Sequence, residues 1–412
     1  MNNGFLSKYF QGAAAKTVSA VEADMSKSHQ HEFNGVDALK NIFGEPQDKQ
    51  HYRTTFIYLT DRDENIVTEE ATLTWYDARQ KAREERGVMR WEYRMYFSSR
   101  VAAPLANEED VLVIAKRSDN TLLAIIAEAE STIAKQVLWL FGFTDSLDPN
   151  FSVSATLNSE QHRIEFTSRR ILESIGVDVE VEDNAFLEEM LEKFHGEFPT
   201  TLVFSNYART TIPHVNARDN HDGAFMAWLE QEEILFRALE KHLIEKRLTQ
   251  GFDGDVDGFI AYSLSVQNRR KSRAGLALEN HLEALFAECD IVNTRTPKTE
   301  NNSKPDFIFP SIEQYFNPKF NVNNLTMLGV KSSCKDRWRQ VLTEANKINA
   351  KHLLTLEAAI SKNQTEEIQT QSLQLVVPAK IHSSYSSEQQ AWLMNVADFI
   401  QVVATKQKNA LV

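Results

Sequence analysis

Asp306 stands in a Lys-Pro-Asp-Phe segment, Lys331 closes the apolar run Met327-Leu328-Gly329-Val330, and Glu344 follows thirteen residues later. Two carboxylates and a lysine at these spacings are the parts that a magnesium-dependent phosphodiesterase needs. Hard divalent cations take carboxylate oxygens and keep several waters, which leaves room for a scissile phosphate oxygen. A neighbouring lysine can orient or help deprotonate the attacking water and screen charge on the pentacovalent phosphorus. The ordinary form of such a site places its second acid two residues before the lysine, at the end of a strand. Here that position is Gly329, which has no side chain to offer a metal. Glu344 is the best substitute, because its expected helix follows directly on the lysine strand.

The elements around these residues must hold them together. Pro305 sets an extended approach to Phe307-Ile308-Phe309, so Asp306 sits at a strand mouth. Taken alone, Pro-Asp reads more readily as a turn capping a strand, and Lys331 equally well as a surface lysine. Glu344 is expected on a helix whose apolar face is Trp338, Val341, Leu342, Ala345 and Ile348, so its carboxylate borders the packed side. Glu279 is similarly placed among Leu276, Leu282 and Phe286, and a half-buried acid wants a metal or a cation. It is expected either as a third carboxylate, touching the metal through water or positioning Lys331, or as a boundary salt bridge. Lys335-Asp336-Arg337 opens the next helix. Cation-acid-cation is what adjacent G·C pairs require in the major groove, although charge at a helix N-terminus competes as an explanation for Asp336.

A chain of 412 residues suits two domains, and its apolar and charged contents, 42% and 25%, are ordinary for a globular protein. A net charge of −13 argues against a protein that coats nucleic acid non-specifically. Local basic clusters can still meet phosphate. Arg269, Arg270, Lys271 and Arg273 form one, and Lys335, Arg337 and Arg339 form another. A single charge run is usually a solvated face, but two flanking the proposed metal site suggest a DNA-binding surface. Cys289 and Cys334 are too few for a disulfide framework or a zinc site, which points to the cytoplasm. No apolar stretch approaches the ~20 residues that span a bilayer, and the N-terminus lacks the pattern of a secretory signal, so neither secretion nor membrane insertion is expected.

Residues 1–205 show strand-like runs at 54–59, 71–76, 95–97, 111–115, 121–127 and 201–204, with helices expected at 36–43, 131–138 and 185–194. The polar stretch 206–223 reads as a linker. From 224 to 412 long amphipathic helices at 228–248 and 275–289 alternate with strands at 307–309, 325–330, 352–356 and 373–377, and a final helix is expected over 387–405. The fold class expected is α+β in two domains, the second an α/β layer structure.

The strings Val266-Gln-Asn-Arg-Arg-Lys-Ser-Arg-Ala-Gly, Leu278-Glu-Asn-His-Leu-Glu-Ala-Leu-Phe, Lys304-Pro-Asp-Phe-Ile-Phe-Pro-Ser and Val330-Lys-Ser-Ser-Cys-Lys-Asp-Arg-Trp-Arg-Gln resemble the catalytic domain of EcoRII-like restriction endonucleases, from about residue 251 onward. The relocated acid thirteen residues beyond the lysine belongs to one branch of these enzymes. More distantly, Lys16-Thr-Val-Ser-Ala, His29-Gln30, Trp75-Tyr-Asp-Ala-Arg, Arg83-Glu-Glu-Arg and Arg90-Trp91 are similar to the family's N-terminal effector domain. The resemblance implies a restriction-endonuclease-like PD-(D/E)XK fold in the second half. In the first half it implies a DNA-binding β-pseudobarrel that takes a second copy of the target and, when empty, blocks the catalytic cleft. It further implies a magnesium-dependent homodimer that cuts double-stranded DNA at a short palindrome with CC and GG ends, and a cognate DNA methyltransferase for the same site. Lys16, His29, Arg79, Arg83, Glu85 and Arg86 would be effector contacts. Read by itself, 79–86 is a basic loop between strands, suited to phosphate and base-edge contact. Gly87 departs from the family, which has a further arginine there. Trp228 and Glu232 occupy positions where the family's flipped-base pocket uses an arginine and an aromatic. Two other classes of protein fit the same residues: a DNA-binding or modification-sensing protein with a nuclease fold, and a repair nuclease that nicks mismatches.

Overall fold

The computed structural model describes residues 5–24, 31–46, 48–62, 66–87, 89–144, 147, 149–159, 162–179, 185–334 and 337–410. The chain forms two compact units, Met1–Asp178 with Ala358–Gln364, and Val179–Glu357 with Thr365–Val412. The division falls at Asp178/Val179, ahead of the polar stretch 206–223. That stretch instead holds the end of one helix and the start of the next, whose first turn is capped by the Asn220 side chain accepting from Gly223 N.

The first unit is built on an eight-stranded sheet of β1 (Phe10–Thr17), β2 (Glu32–Asn34), β3 (Gln50–Leu59), β4 (Val67–Asp77), β5 (Tyr93–Phe97), β6 (Val111–Arg117), β7 (Leu122–Ala127) and β8 (Ser152–Ser154). The strand order is β2-β5-β4-β3-β7-β6-β1-β8, antiparallel throughout except between β3 and β7. The run Leu122-Leu-Ala-Ile-Ile-Ala is buried at every position, as a central strand covered on both faces must be. Phe33, Phe56, Trp75, Met95 and Phe97 fill the core beneath it. Residues 80–86, expected in a loop, form helix α1 (Gln80–Arg86), which ends because Gly87 takes a left-handed φ of +66°.

The second unit carries a five-stranded sheet of β9 (Thr294–Arg295), β10 (Phe307–Phe309), β11 (Thr326–Lys331), β12 (Lys351–Thr355) and β13 (Leu373–Val376), in the order β13-β12-β11-β10-β9. β9, β10 and β11 pair antiparallel, and β11, β12 and β13 pair parallel. Helices α2 (Thr201–Thr210), α3 (His221–Gln250) and α4 (Val256–Glu288) precede the sheet. The expected strand at 201–204 is therefore the first turn of α2. The Thr200 side chain caps it by accepting from Val203 N, and Phe204, Tyr207 and Ala208 are buried at helical spacing, which a strand would not allow. The expected terminal helix is two helices, α6 (Ser387–Trp392) and α7 (Val396–Asn409). Leu393 turns extended between them and Asn395 starts the second with a capping box. No described helix is long and apolar enough to cross a membrane.

Candidate active site

Alternation along β10 fixes Asp306. Phe307 and Phe309 point to one side of the strand and pack edge-on against Phe286 of α4, at 5.3 and 5.2 Å between ring centroids, and Phe309 meets Phe399 of α7 at 5.7 Å. The register Phe307↔Leu328 then brings Asp306 opposite the end of β11. Asp306 Oδ2 accepts from Val330 N at 2.6 Å and from Lys331 Nζ at 3.0 Å. Its carbonyl accepts from Thr296 N at 2.8 Å, and Thr296 holds a φ of +48°, a strained conformation for a β-branched residue. β11 is buried from Thr326 to Val330, and only Lys331 emerges, with 19% of its side chain exposed.

Gly329 leaves no free room for a side chain. A Cβ there would come within 2.8 Å of Val341 Cγ2, from the short helix α5 (Trp338–Leu342) packed over the strand. The space beside the strand that a side chain at Gly329 would enter is thus taken by Val341. Glu344 was expected inside this helix, but α5 ends at Leu342 and Glu344 lies in the turn that follows. Ala345, with a φ of +48°, breaks the helical path while Ala345 and Ile348 remain buried. Within that turn Glu344 Oε2 is buried and has no hydrogen-bond partner. Burial pushes its carboxyl up to about 7; Lys331 and Lys351 pull it down and Asp306 pushes it further up, so all three lie within electrostatic reach.

Glu279 joins them from α4. Burial raises its carboxyl, as does Asp306, while Arg295 and Lys331 oppose the shift. Arg295, on β9, donates from Nε and from its terminal nitrogen to Glu279 Oε2 at 3.2 and 3.1 Å, and to Glu283 and Asn280 at 2.8 and 2.7 Å. Glu279 is salt-bridged to Arg295, and Asp306 and Lys331 lie within its electrostatic reach. Arg295 and Lys351 went unnoticed in the sequence. Each is a single cation with its partner many residues away, and neither belongs to a run or a motif.

Asp306, Lys331, Glu344, Glu279 and Arg295 all lie in a segment shared with known proteins. The sequence model described as EcoRII C terminal matches residues 236–400. The chain is 33% identical over 338 residues to the type II restriction enzyme EcoRII of Escherichia coli, covering 80% of this chain and 78% of that protein. The chain belongs to the EcoRII family of type II restriction enzymes. It is a site-specific deoxyribonuclease. Among solved structures it is similar to metal-depleted Ecl18kI in complex with uncleaved, modified DNA, with a TM-score of 0.46 and 19% identity over 54% of this chain and 84% of that one. It is also similar to the restriction endonuclease PspGI–substrate DNA complex, with a TM-score of 0.44 and 15% identity over 56% and 98%.

The EcoRII-like recognition residues fall in varied surroundings. Lys335 and Asp336 lie outside the described residues; Arg337 is exposed at the start of α5, and its N–H donates to Cys334 O at 2.8 Å. Arg339 is bound to Glu367 at 2.8 Å. The basic run of α4 is not one surface. Arg273 is buried against Glu232 and Glu233, Arg270 pairs with Glu240 at 2.7 Å, and Arg269 covers the Phe198 ring at 4.5 Å. Lys271 is exposed. Trp228 and Glu232 are buried too, Glu232 lying 2.9 Å from His281 Nε2 and 3.1 Å from Arg273. In the first unit Lys16, expected to touch DNA, is fully buried, with Nζ 2.7 Å from Glu22 and over the Phe151 ring; an inward-facing strand lysine requires such a partner. Arg79 pairs with Glu92 at 2.7 Å, Arg83 pairs with Asp77 and stacks on Trp91 at 3.5 Å, and Glu85 and Arg86 are exposed on α1. His29 lies outside the described residues.

Proposed function

We propose that this enzyme hydrolyses both strands of DNA at a short palindrome with CC and GG ends, using magnesium and leaving 5′-phosphate and 3′-hydroxyl termini. The observation that carries the reading is the buried, unpartnered Oε2 of Glu344 within electrostatic reach of the Asp306–Lys331 pair. An orphaned carboxylate oxygen of this kind suits a bound cation. Among the described residues no group of three or more His, Cys, Asp or Glu side chains could hold a metal. Magnesium is the ion proposed because it can bind through as few as one or two carboxylates while retaining most of its water. Asp306 and Glu344 would hold it, and when bound it would make an attacking water more acidic and offset charge on the phosphate.

The other steps fall to the protein. Lys331, steadied 3.0 Å from Asp306, would orient the attacking water and screen the phosphorane oxygens. Glu279, fixed by Arg295, would hold the Asp306–Lys331 pair in register without touching the phosphate. Lys335, Asp336 and Arg337 would read the outer C·G pairs, each subunit of a homodimer reading one half-site. The first unit would act as a β-pseudobarrel regulator that binds a second copy of the site through the surface of Arg79, Arg83, Glu85 and Arg86. A methyltransferase acting on the same palindrome would protect the host DNA, and two free thiols suit a cytoplasmic enzyme.

The test is plasmid DNA with one or several CC/GG-ended sites, magnesium, and a Lys331→Ala control, with the cut ends sequenced. Defined ends at one palindrome, absent in the control, are expected. Retention of specific DNA in a gel without cutting would replace this reading with a binding protein, and nicked circles with no linear product would replace it with a mismatch-nicking nuclease.

A further inference from the structure

Helices α3 and α4 form a hairpin whose distal turns carry no fully buried residue, although Leu243, Arg269 and Arg270 make contacts nearer its base. α3 has no buried residue beyond Glu240 and α4 has none before Arg273. One side of α4 there nevertheless carries large apolar side chains, with Val256, Ile260 and Leu264 exposed by 66%, 48% and 51%. At the tip Phe252 packs against Phe259 and Tyr262 at 5.4 and 5.7 Å. An exposed apolar stripe on helical turns that carry no fully buried residue suits a surface that another molecule covers.

The charges along the stripe identify that molecule. Asp257 lies seven residues before Leu264 and Lys271 seven residues after it, so all three share one face of α4, with the acid and the base about 10 Å to either side of the leucine. Asp257 and Lys271 are both exposed. This face is its own complement. When two copies cross antiparallel about a two-fold axis at Leu264, each Asp257 meets the other copy's Lys271 and the apolar residues meet each other. DNA is a poor occupant of the same face, because its phosphates would approach both the apolar stripe and Asp257.

We propose that the α4 face centred on Leu264 is where two copies of this chain pair. The inference rests on the homodimer reading above and names its surface, and it assigns Lys271 to the interface instead of to phosphate. Leu264, on the axis, faces its own copy.

Sedimentation velocity of the full chain over a concentration series, without DNA or metal, tests it. Wild type is expected to dimerise reversibly, Asp257→Lys and Lys271→Asp each to weaken dimerisation by about tenfold, and the combined exchange to restore it. Leu264→Cys is expected to form an oxidised dimer on a denaturing gel, while wild type, with Cys289 and Cys334 alone, does not. A wild-type dimer unaffected by either charge reversal, with Leu264→Cys uncrosslinked, overturns this surface and leaves the homodimer reading standing. A wild type that stays monomeric at every concentration overturns both.

Discussion

In the proposed site Glu344 would meet two demands that oppose each other. Its carboxylate would have to be charged to take a cation, yet burial raises its pKa to about 7, above the ordinary 4.5. The folded, metal-free protein therefore binds a proton here more tightly than the unfolded chain does. The stability this group contributes is complete below about pH 4.5 and is lost as pH rises through 7. Glu344→Gln removes that loss, and thermal unfolding without metal at pH 8 should show it more stable than wild type by about 1–2 kcal/mol, while plasmid cleavage disappears. In wild type at limiting magnesium, cleavage should fall as pH drops below 7 and recover when magnesium is raised, because proton and metal compete for one carboxylate. Lys331→Ala should lower the cleavage rate by at least ~10³ and leave gel-shift affinity for the site within a few-fold. The spacing in the sequence singled out Asp306 and Lys331, which the structure joins at 3.0 Å. It did not single out Arg295 and Lys351, since their partners lie on a packed helix and at the end of another, which no local pattern reveals.

At the level of elements, Val341 stands over Gly329, so any side chain placed on the strand there would require the valine to shift. Gly329→Ala should cost about 1–3 kcal/mol of stability in chemical denaturation, and much of that cost should vanish in a Val341→Ala background, where the methyl has space. Equal costs in the two backgrounds would show that the valine is not the obstacle. Sequence patterning located β3 to β7 and β10 to β13 well, because buried central strands read as short apolar runs. It failed at 201–204, where Thr-Leu-Val-Phe has strand character but the Thr200 cap and the burial of Phe204 and Tyr207 select a helix. It failed again after Leu342, where the apolar spacing of a helix persists although Ala345 leaves the helical path. Side-chain periodicity records which residues are buried, and a turn can bury the same residues as a helix.

Across the whole chain, composition indicated two units but not where they divide. The polar stretch 206–223 looked like a boundary because it lacks periodicity, whereas the compact units separate at Asp178/Val179 and share the chain again at Ala358–Gln364. A unit that recruits residues from two distant parts of the sequence leaves no local trace of doing so. For the regulatory reading, a plasmid with several sites should be cut faster than one with a single site, and the difference should shrink when a short uncleavable duplex of the same sequence is added in trans. Equal rates on both plasmids would remove the second-site role of the first unit.

One unbroken helix carries both Leu264 and Glu279, fifteen residues apart, a rise of about 22 Å. With two copies joined at Leu264 as proposed, α4 would become a ruler: its residue count would set how far each proposed Asp306–Lys331 site stands from the dyad, and hence the offset between two cuts in the duplex. The length of the single-stranded end would then be written in helical turns, and inserting one turn between Lys271 and Glu279 would alter the geometry of cleavage without changing a single residue that touches the phosphate.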